Sequence, residues 1–270
     1  MTSTILQLSE TGQAFAFRER GQGAPVLLLH GVGMQSAAWD PQAEELSHTY
    51  RVIALDLPGH GGSAPVPAGS ELPDFVSWLH DVIRTLKIGP VSIAGHSMGA
   101  LITAGFAISH PEMTARAALL NGVFCRDAAA RAGVVARAAD IRAGKGDLET
   151  PLARWFGDSA TDISARNLVA GWLREVDPSG YATAYSAFAR GDATYADRFS
   201  EIACSFLAIT GDGDPNSTPA MSQAMAAQVQ DGRAVTITGH RHMVNLTAPD
   251  LVTSHLRDWL NSPTQLEALS

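Results

Sequence analysis

The chain is short of cysteine, of grouped basic residues and of long apolar runs, and each shortage removes a class of function. Only Cys125 and Cys204 occur in 270 residues. Two thiols cannot make a disulfide framework or a cysteine zinc cluster. Neither is set beside a histidine or acid as a thiol nucleophile would be, so both read as small buried hydrophobes. The formal net charge is −8 and there is no basic block, which argues against nucleic acid or an anionic membrane surface as partner. No run reaches the length of a membrane span. Met1 to Gln7 lack the charged and apolar regions of a secretory signal, so the cytoplasm is the expected address. There is no internal repeat, no dinucleotide-binding loop and no cluster of metal ligands, so neither a cofactor nor a metal is expected.

With 46% hydrophobic and 17% charged residues, the chain can bury an ordinary globular core. Its order is legible from apolar patterning. Ile5–Leu8 and Ala14–Arg18 read as an antiparallel hairpin turning at Gly12. Val26–His30, Arg51–Asp56, Val91–Ala94, Ala115–Asn121, Ser205–Thr210 and Ala234–Thr238 read as further strands. The first of these are apolar without alternation, as strands covered on both faces are. Leu72–Ile88 is helical, with Phe75, Val76, Leu79, Val82, Ile83 and Leu86 on one face. Ala100–Ile108, Ala128–Ala143, Pro219–Val229 and Pro249–Leu260 are also helical, and the polar tail from Asn261 reads as frayed. Strands alternating with helices imply a mostly parallel α/β sheet with right-handed crossovers. Between about Phe124 and Glu201 the strands stop and large aromatics gather. That stretch reads as a helical cap, 124–201, inserted after the strand at 115–121 into a core formed by 1–123 and 202–270.

The chemistry starts at Gly95-His96-Ser97-Met98-Gly99. A Gly-x-Ser-x-Gly between a strand and a helix is the setting of a nucleophile elbow. The turn thrusts the serine hydroxyl clear of the sheet, and the flanking glycines leave room for neighbouring backbone. A serine hydroxyl needs a base and the base an orienting acid. Behind such an elbow the order is Ser, acid, His. Two late strands end in Gly211-Asp212-Gly213-Asp214 and Gly239-His240-Arg241-His242, so the acid is Asp212 or Asp214 and the base His240 or His242. His48, His80, His110 and His255 lie in ordinary contexts, while His30, His60 and His96 sit in motif loops as structural or pocket-lining residues. Two amide donors are needed for an oxyanion. They are expected from Met98, after the nucleophile, and Val32, in the loop His30-Gly31-Val32-Gly33.

These pieces together resemble the α/β-hydrolase fold superfamily over nearly the whole chain. The motifs are His30-Gly31, Asp56-Leu57-Pro58-Gly59-His60-Gly61-Gly62-Ser63, the elbow, Gly211-x-x-Asp214 and Gly239-x-x-His242. In that pattern acid and histidine each follow a strand-ending glycine by three, and the resemblance therefore implies a triad of Ser97, Asp214 and His242. Leu152-Ala153-Arg154-Trp155-Phe156, Asp177-Pro178-Ser179-Gly180-Tyr181 and Asp214-Pro215 look most like the 3-oxoadipate enol-lactonase and carboxylesterase-like group. His96 before the serine and Ala100 after Gly99 depart from that group and leave the substrate open. The resemblance implies a serine hydrolase of a small ester or enol-lactone working through an acyl-enzyme. Its alternative is a carbon–carbon or amide bond hydrolase, or a lyase-like enzyme, with the same triad. A hydrolase-fold small-molecule receptor comes behind both. The partner is a small molecule, with Met34, Phe124, Trp155, Phe156 and Val244 as expected lining. An acidic substrate would want an arginine, from Arg126, Arg154, Arg190 or Arg241.

Overall fold

The computed structural model describes residues 2–262. Eight strands form one sheet: β1 (Ser3–Gln7), β2 (Ala14–Arg20), β3 (Pro25–Leu29), β4 (Arg51–Leu55), β5 (Val91–His96), β6 (Thr114–Leu120), β7 (Ser205–Gly211) and β8 (Gly232–Ile237). Their spatial order is β1-β2-β4-β3-β5-β6-β7-β8. The β1–β2 hairpin is antiparallel and meets β4 antiparallel; β4, β3, β5, β6, β7 and β8 are mutually parallel. Every crossover among the parallel strands therefore brings a chain end back to the same edge, and the loops after β3, β5, β6, β7 and β8 share one rim.

The unbroken apolar strands follow from cover on both faces. In β3, Val26 and Leu28 join a core with Trp39, Val252 and Trp259, while Leu27 and Leu29 join the opposite one with Phe75, Leu79 and Ile102. The first face is covered by α1 (Asp40–Leu46) and, near the C-terminus, α9 (Val244–Thr247) and α10 (Pro249–Asn261). The second is covered by α2 (Leu72–Leu86), α3 (Met98–Ser109) and α8 (Pro219–Ala226). In α2 the expected stripe is buried from Phe75 to Ile83, with Leu72 and Trp78 added. Glu71 and Asp74 close its first turn as a reciprocal capping box, satisfying two amides that lack helical partners. Asn261 still belongs to α10 and Ser262 follows as its C-cap; the tail from 263 lies outside the described residues.

The insert after β6 holds four helices, where the sequence displays one plainly: α4 (Ala128–Arg142), α5 (Glu149–Trp155), α6 (Ala160–Glu175) and α7 (Pro178–Gly191). Side-chain oxygens of Asp127, Ser159 and Asp177 accept from the first turns of α4, α6 and α7. The start of α7 meets the loop after β4 with almost no gap. A Cβ built on Gly180 would come within 2.5 Å of the Gly59 Cα. Cys204 is part-buried as expected, but Cys125 is exposed. Its backbone takes a left-handed turn (φ 48°) while its amide donates to the Asp192 carbonyl.

Asp192, directly after α7, ties the end of the insert back to its beginning around α4. Its wholly buried carboxylate accepts from the Arg126 amide at 2.6 Å and from Arg131 at 3.1 Å, and its other oxygen faces Arg126 Nη1 at 3.2 Å as an ion pair. Deleting one member of a buried pair strands the other charge. Asp192→Ala is expected to lower the unfolding free energy by about 3 kcal/mol, read as a lower urea midpoint at unchanged slope. A midpoint equal to wild type would show that Arg126 finds water instead.

Candidate active site

Ser97 sits at the turn between β5 and α3 with φ 55° and ψ −110°. This is a conformation that L side chains avoid and that only firm surroundings maintain. The surroundings are the reason for the glycines. A Cβ on Gly95 would run into the Gly99 carbonyl and one on Gly99 into the Leu29 carbonyl. The Ser97 amide donates to Leu120 O at 2.8 Å, pinning the turn to β6.

The loop after β3 lies against this turn, for a Cβ on Gly31 would meet the Ser97 Cβ at 3.1 Å. Imidazoles fasten that loop to the next. His30 Nε2 accepts from the Leu57 amide and His60 Nε2 from the Gly33 amide, both at 2.9 Å. Their Nδ1–H groups donate to Gly31 O and Pro58 O. Val32 is thereby presented at the cavity. Its amide donates to no protein acceptor among the described residues. Met98 opens α3, so its amide has no acceptor within the helix either.

Asp214 and His242 come from the loops after β7 and β8. His242 Nδ1 lies 2.8 Å from Asp214 Oδ2, and His242 Nε2 lies 3.2 Å from Ser97 Oγ. Burial raises the Asp214 pKa, but His242 and donation from the Asn216 amide and Asn121 Nδ2 outweigh it, and the net shift is downward. The carboxylate is then ionised and only accepts, so in the neutral imidazole the proton sits on Nδ1 and Nε2 is left to accept from Ser97. Asp212 and His240 have other work. Asp212 accepts from the Gly239 amide at 2.8 Å, and His240 Nδ1 meets Thr247 Oγ1 at 3.0 Å.

His242 is held on every side. His96 donates from Nε2 to the His242 carbonyl at 2.8 Å, and the His242 amide donates to Trp155 O at 3.2 Å. The Trp155 ring stacks on the imidazole with centroids 5.8 Å apart. Next to it, Arg241 donates to Ala153 O and Phe156 O at the end of α5. Asn121, which nothing in the sequence singles out, follows β6 directly with φ 48°. Its Nδ2 donates to the same Asp214 oxygen that faces His242, at 2.8 Å.

Val32, Ser97, Trp155 and His242 open onto a cavity of about 640 Å³ between the sheet rim and the insert. Of the other residues expected in the lining, Met34 faces a separate cavity of about 320 Å³ beside Gly59 and Trp172. Phe124 packs edge-on against Phe199, Phe156 is buried with the insert's apolar core, and Val244 is sealed under β3 and α10. Apolar side chains near a site go first to the core, and these three do. The cavity is lined instead by Tyr185, Phe188, Met221 and a set of charged residues, Arg126, Arg137 and Arg154 among them. Among the described residues, no three His, Cys, Asp or Glu side chains gather as metal ligands, and no helix is long and apolar enough to cross a membrane.

Comparison with known proteins follows the same lines. The model of the alpha/beta hydrolase family matches residues 26–254. The (E)-2-((N-methylformamido)methylene)succinate hydrolase of Acinetobacter baylyi is 50% identical over 262 residues, covering 97% of this chain and 99% of its own. Among solved structures, the enol-lactonase of Burkholderia xenovorans superposes with a TM-score of 0.84 at 24% identity, over 96% of this chain and 100% of that one. A thermophilic esterase of Thermogutta terrifontis gives 0.86 at 24% identity, over 96% and 98%. Likeness at that level of identity is a likeness of fold.

The buried imidazoles give the site a pH signature. Burial pushes His30 well below its ordinary value of 6.5, His60 down to about 4 and His96 down to about 3. Across that interval the unfolded chain binds protons that the folded one refuses, so stability falls as pH drops. Each group contributes at most about 1.4 kcal/mol per pH unit, over the range where only the unfolded chain binds its proton. Unfolding free energies from urea titrations are expected to fall steeply between about pH 6 and about pH 4. A flat profile would mean that these rings reach water in the native state.

Proposed function

The chain belongs to the alpha/beta hydrolase family, and from that membership we propose that it hydrolyses the carbon–nitrogen bond of a small anionic amide. The substrate class is an N-acylated enamine of a dicarboxylic acid. The observation that carries the bond type is the 50% identity, over nearly the full length of both chains, to a hydrolase of (E)-2-((N-methylformamido)methylene)succinate. That name describes a formamide nitrogen joined through a methylene carbon to a succinate. The ester and enol-lactone expectation, drawn from motif resemblance, has only likeness of fold behind it among the comparisons, and the amide alternative is the better supported.

In this reading Ser97 is the nucleophile. Its Oγ attacks the amide carbonyl carbon as His242 Nε2 takes the hydroxyl proton, across the 3.2 Å that separates them. The carbonyl oxygen becomes an oxyanion and meets the amide protons of Val32 and Met98, which no protein acceptor occupies. Asp214 keeps the Nδ1–H tautomer and stabilises the imidazolium. His242 then gives its proton to the departing nitrogen, the C–N bond breaks, and an acyl-Ser97 ester remains. Water enters, His242 takes a proton from it, and the new C–O bond releases the acid, formate in the case of a formamide. The proton returns to Ser97 Oγ. Asn121 supports the cycle by giving Asp214 a donor that does not depend on the state of His242.

Ser97→Ala is expected to lower kcat on the order of a million-fold, as when a triad acts as a unit. A fluorophosphonate is expected to add once to wild type and not to the variant, read by intact mass. The bond is assigned by turnover: an N-formyl enamine of a dicarboxylate should give formate at a higher kcat/KM than p-nitrophenyl acetate gives acetate. Ester turnover with no release of formate would overturn the amide reading and restore the ester one.

A further inference from the structure

The groups that meet the amide leave the rest of a dicarboxylate unaccounted for, since Ser97, His242 and two N–H donors serve one carbonyl. The partners for anionic groups lie on the insert side of the same cavity. Arg126, Arg137 and Arg154 all line it, in a chain whose net charge is −8. They differ in how far they are neutralised. Arg126 is committed: buried, it pairs with Asp192 and lies over the Phe188 ring at 4.5 Å. Arg137 is half committed. Its Nη2 donates to the Asp147 main-chain oxygen at 2.8 Å, but the Asp147 carboxylate is at 3.4 Å, more than half exposed, and already takes the Thr150 amide at 2.7 Å. Arg154 makes no ion pair or hydrogen bond among the described residues.

The three cations converge on one phenol. Burial raises the Tyr185 pKa, and Arg137, Arg126 and Arg154 all act on it in the opposite sense. The Arg137 guanidinium lies 5.9 Å from the Tyr185 ring centroid. Its side chain is mostly enclosed, so little conformational freedom remains to be lost when it takes a ligand. A phenol beside guanidiniums offers a neutral donor and cationic forks to one carboxylate, which is a stronger arrangement than any of them alone.

We propose that Arg137, Arg154 and the Tyr185 hydroxyl form a carboxylate-binding subsite that holds a small dicarboxylate with its reacting group toward Ser97. The assignment rests on the amide reading for its substrate class, and on the cavity geometry for its place. The substrate carboxylate replaces the exposed Asp147 carboxylate as the anionic partner of Arg137, and Arg154 supplies the charge that the protein leaves unmatched. Among the acids of the lining, Asp127 is occupied in capping α4 and Asp147 in holding Thr150; Asp140 is exposed on α4 and sets a limit on how negative a ligand can be.

The test is calorimetric titration of succinate, with uncharged succinamide as control, into the whole protein and into Arg154→Gln, Arg154→Lys and Tyr185→Phe. Wild type is expected to bind succinate and not succinamide. Arg154→Gln should raise the succinate Kd about tenfold or more, as loss of a charge-assisted bond does, and Arg154→Lys should recover part of it. Arg154 is exposed, so an unchanged melting temperature separates loss of binding from loss of fold. No succinate binding by wild type, or equal Kd in wild type and Arg154→Gln, overturns the subsite. Formate release by wild type is measured alongside. Its absence with succinate binding intact refutes the amide reading and leaves the subsite standing; its presence with unaltered binding in the variants does the reverse.

Discussion

A carboxylate without water is the condition around which the rim of the sheet is arranged. Asp214 is sealed from solvent and yet its shift favours the ionised form, which requires donors at both oxygens. They come from three separate loops: Asn121 after β6, the Asn216 amide after β7, and His242 after β8. Each donor fixes a loop end, and the loop ends then fix one another. Asn121 reaches Asp214 because its backbone is bent into a left-handed turn, and its carbonyl accepts from Ser217 Oγ at 2.6 Å. The strain at Ser97 thus stands against the histidine and that at Asn121 against its carboxylate partner, and neighbouring strands hold both.

Function in this chain divides between the sheet and the insert by the kind of order each supplies. The sheet offers backbone placed by register: a turn at Ser97, free amides at Val32 and Met98, an acid and a base at the ends of adjacent strands. The insert offers side chains, long and charged, around a volume large enough for a small molecule. In the proposed reading the first sets the chemistry and the second the selectivity. The enol-lactonase and esterase with similar folds differ from this chain in most of their residues.

Much of the sheet was readable because burial on both faces leaves an unbroken apolar run, as in Val26–Leu29. The loops were readable because tight backbone there demands glycine. Position after a strand left Asp212 level with Asp214 and His240 level with His242; only a family pattern separated them, and the hydrogen bonds to Gly239 and Thr247 show what occupies the other two. The insert was far less legible. α5 has seven residues, and α4 carries a single fully buried side chain, Ala138, so periodicity has little to report. Phe124, Phe156 and Val244 fell into the core because an apolar residue carries no mark of whether it faces a cavity or a neighbour. Asn121 escaped notice for the opposite reason: a lone amide at a strand end has no motif, and its part is defined by partners 89 and 93 residues away.

The bonds between the loop of His242 and the last turn of α5 carry a consequence for how such proteins diversify. Arg241 and the His242 amide satisfy three consecutive-turn carbonyls, those of Ala153, Trp155 and Phe156, that would otherwise end a helix unpartnered. His242, the base in the proposed mechanism, is therefore spliced in space to the insert that walls the cavity. Exchanging inserts between relatives at the boundaries of β6 and β7 leaves behind the far-off pentapeptide that docks the graft. Recombination that respects the fold in sequence cuts across it in space, and a working chimera has to carry residues 239–243 together with α5.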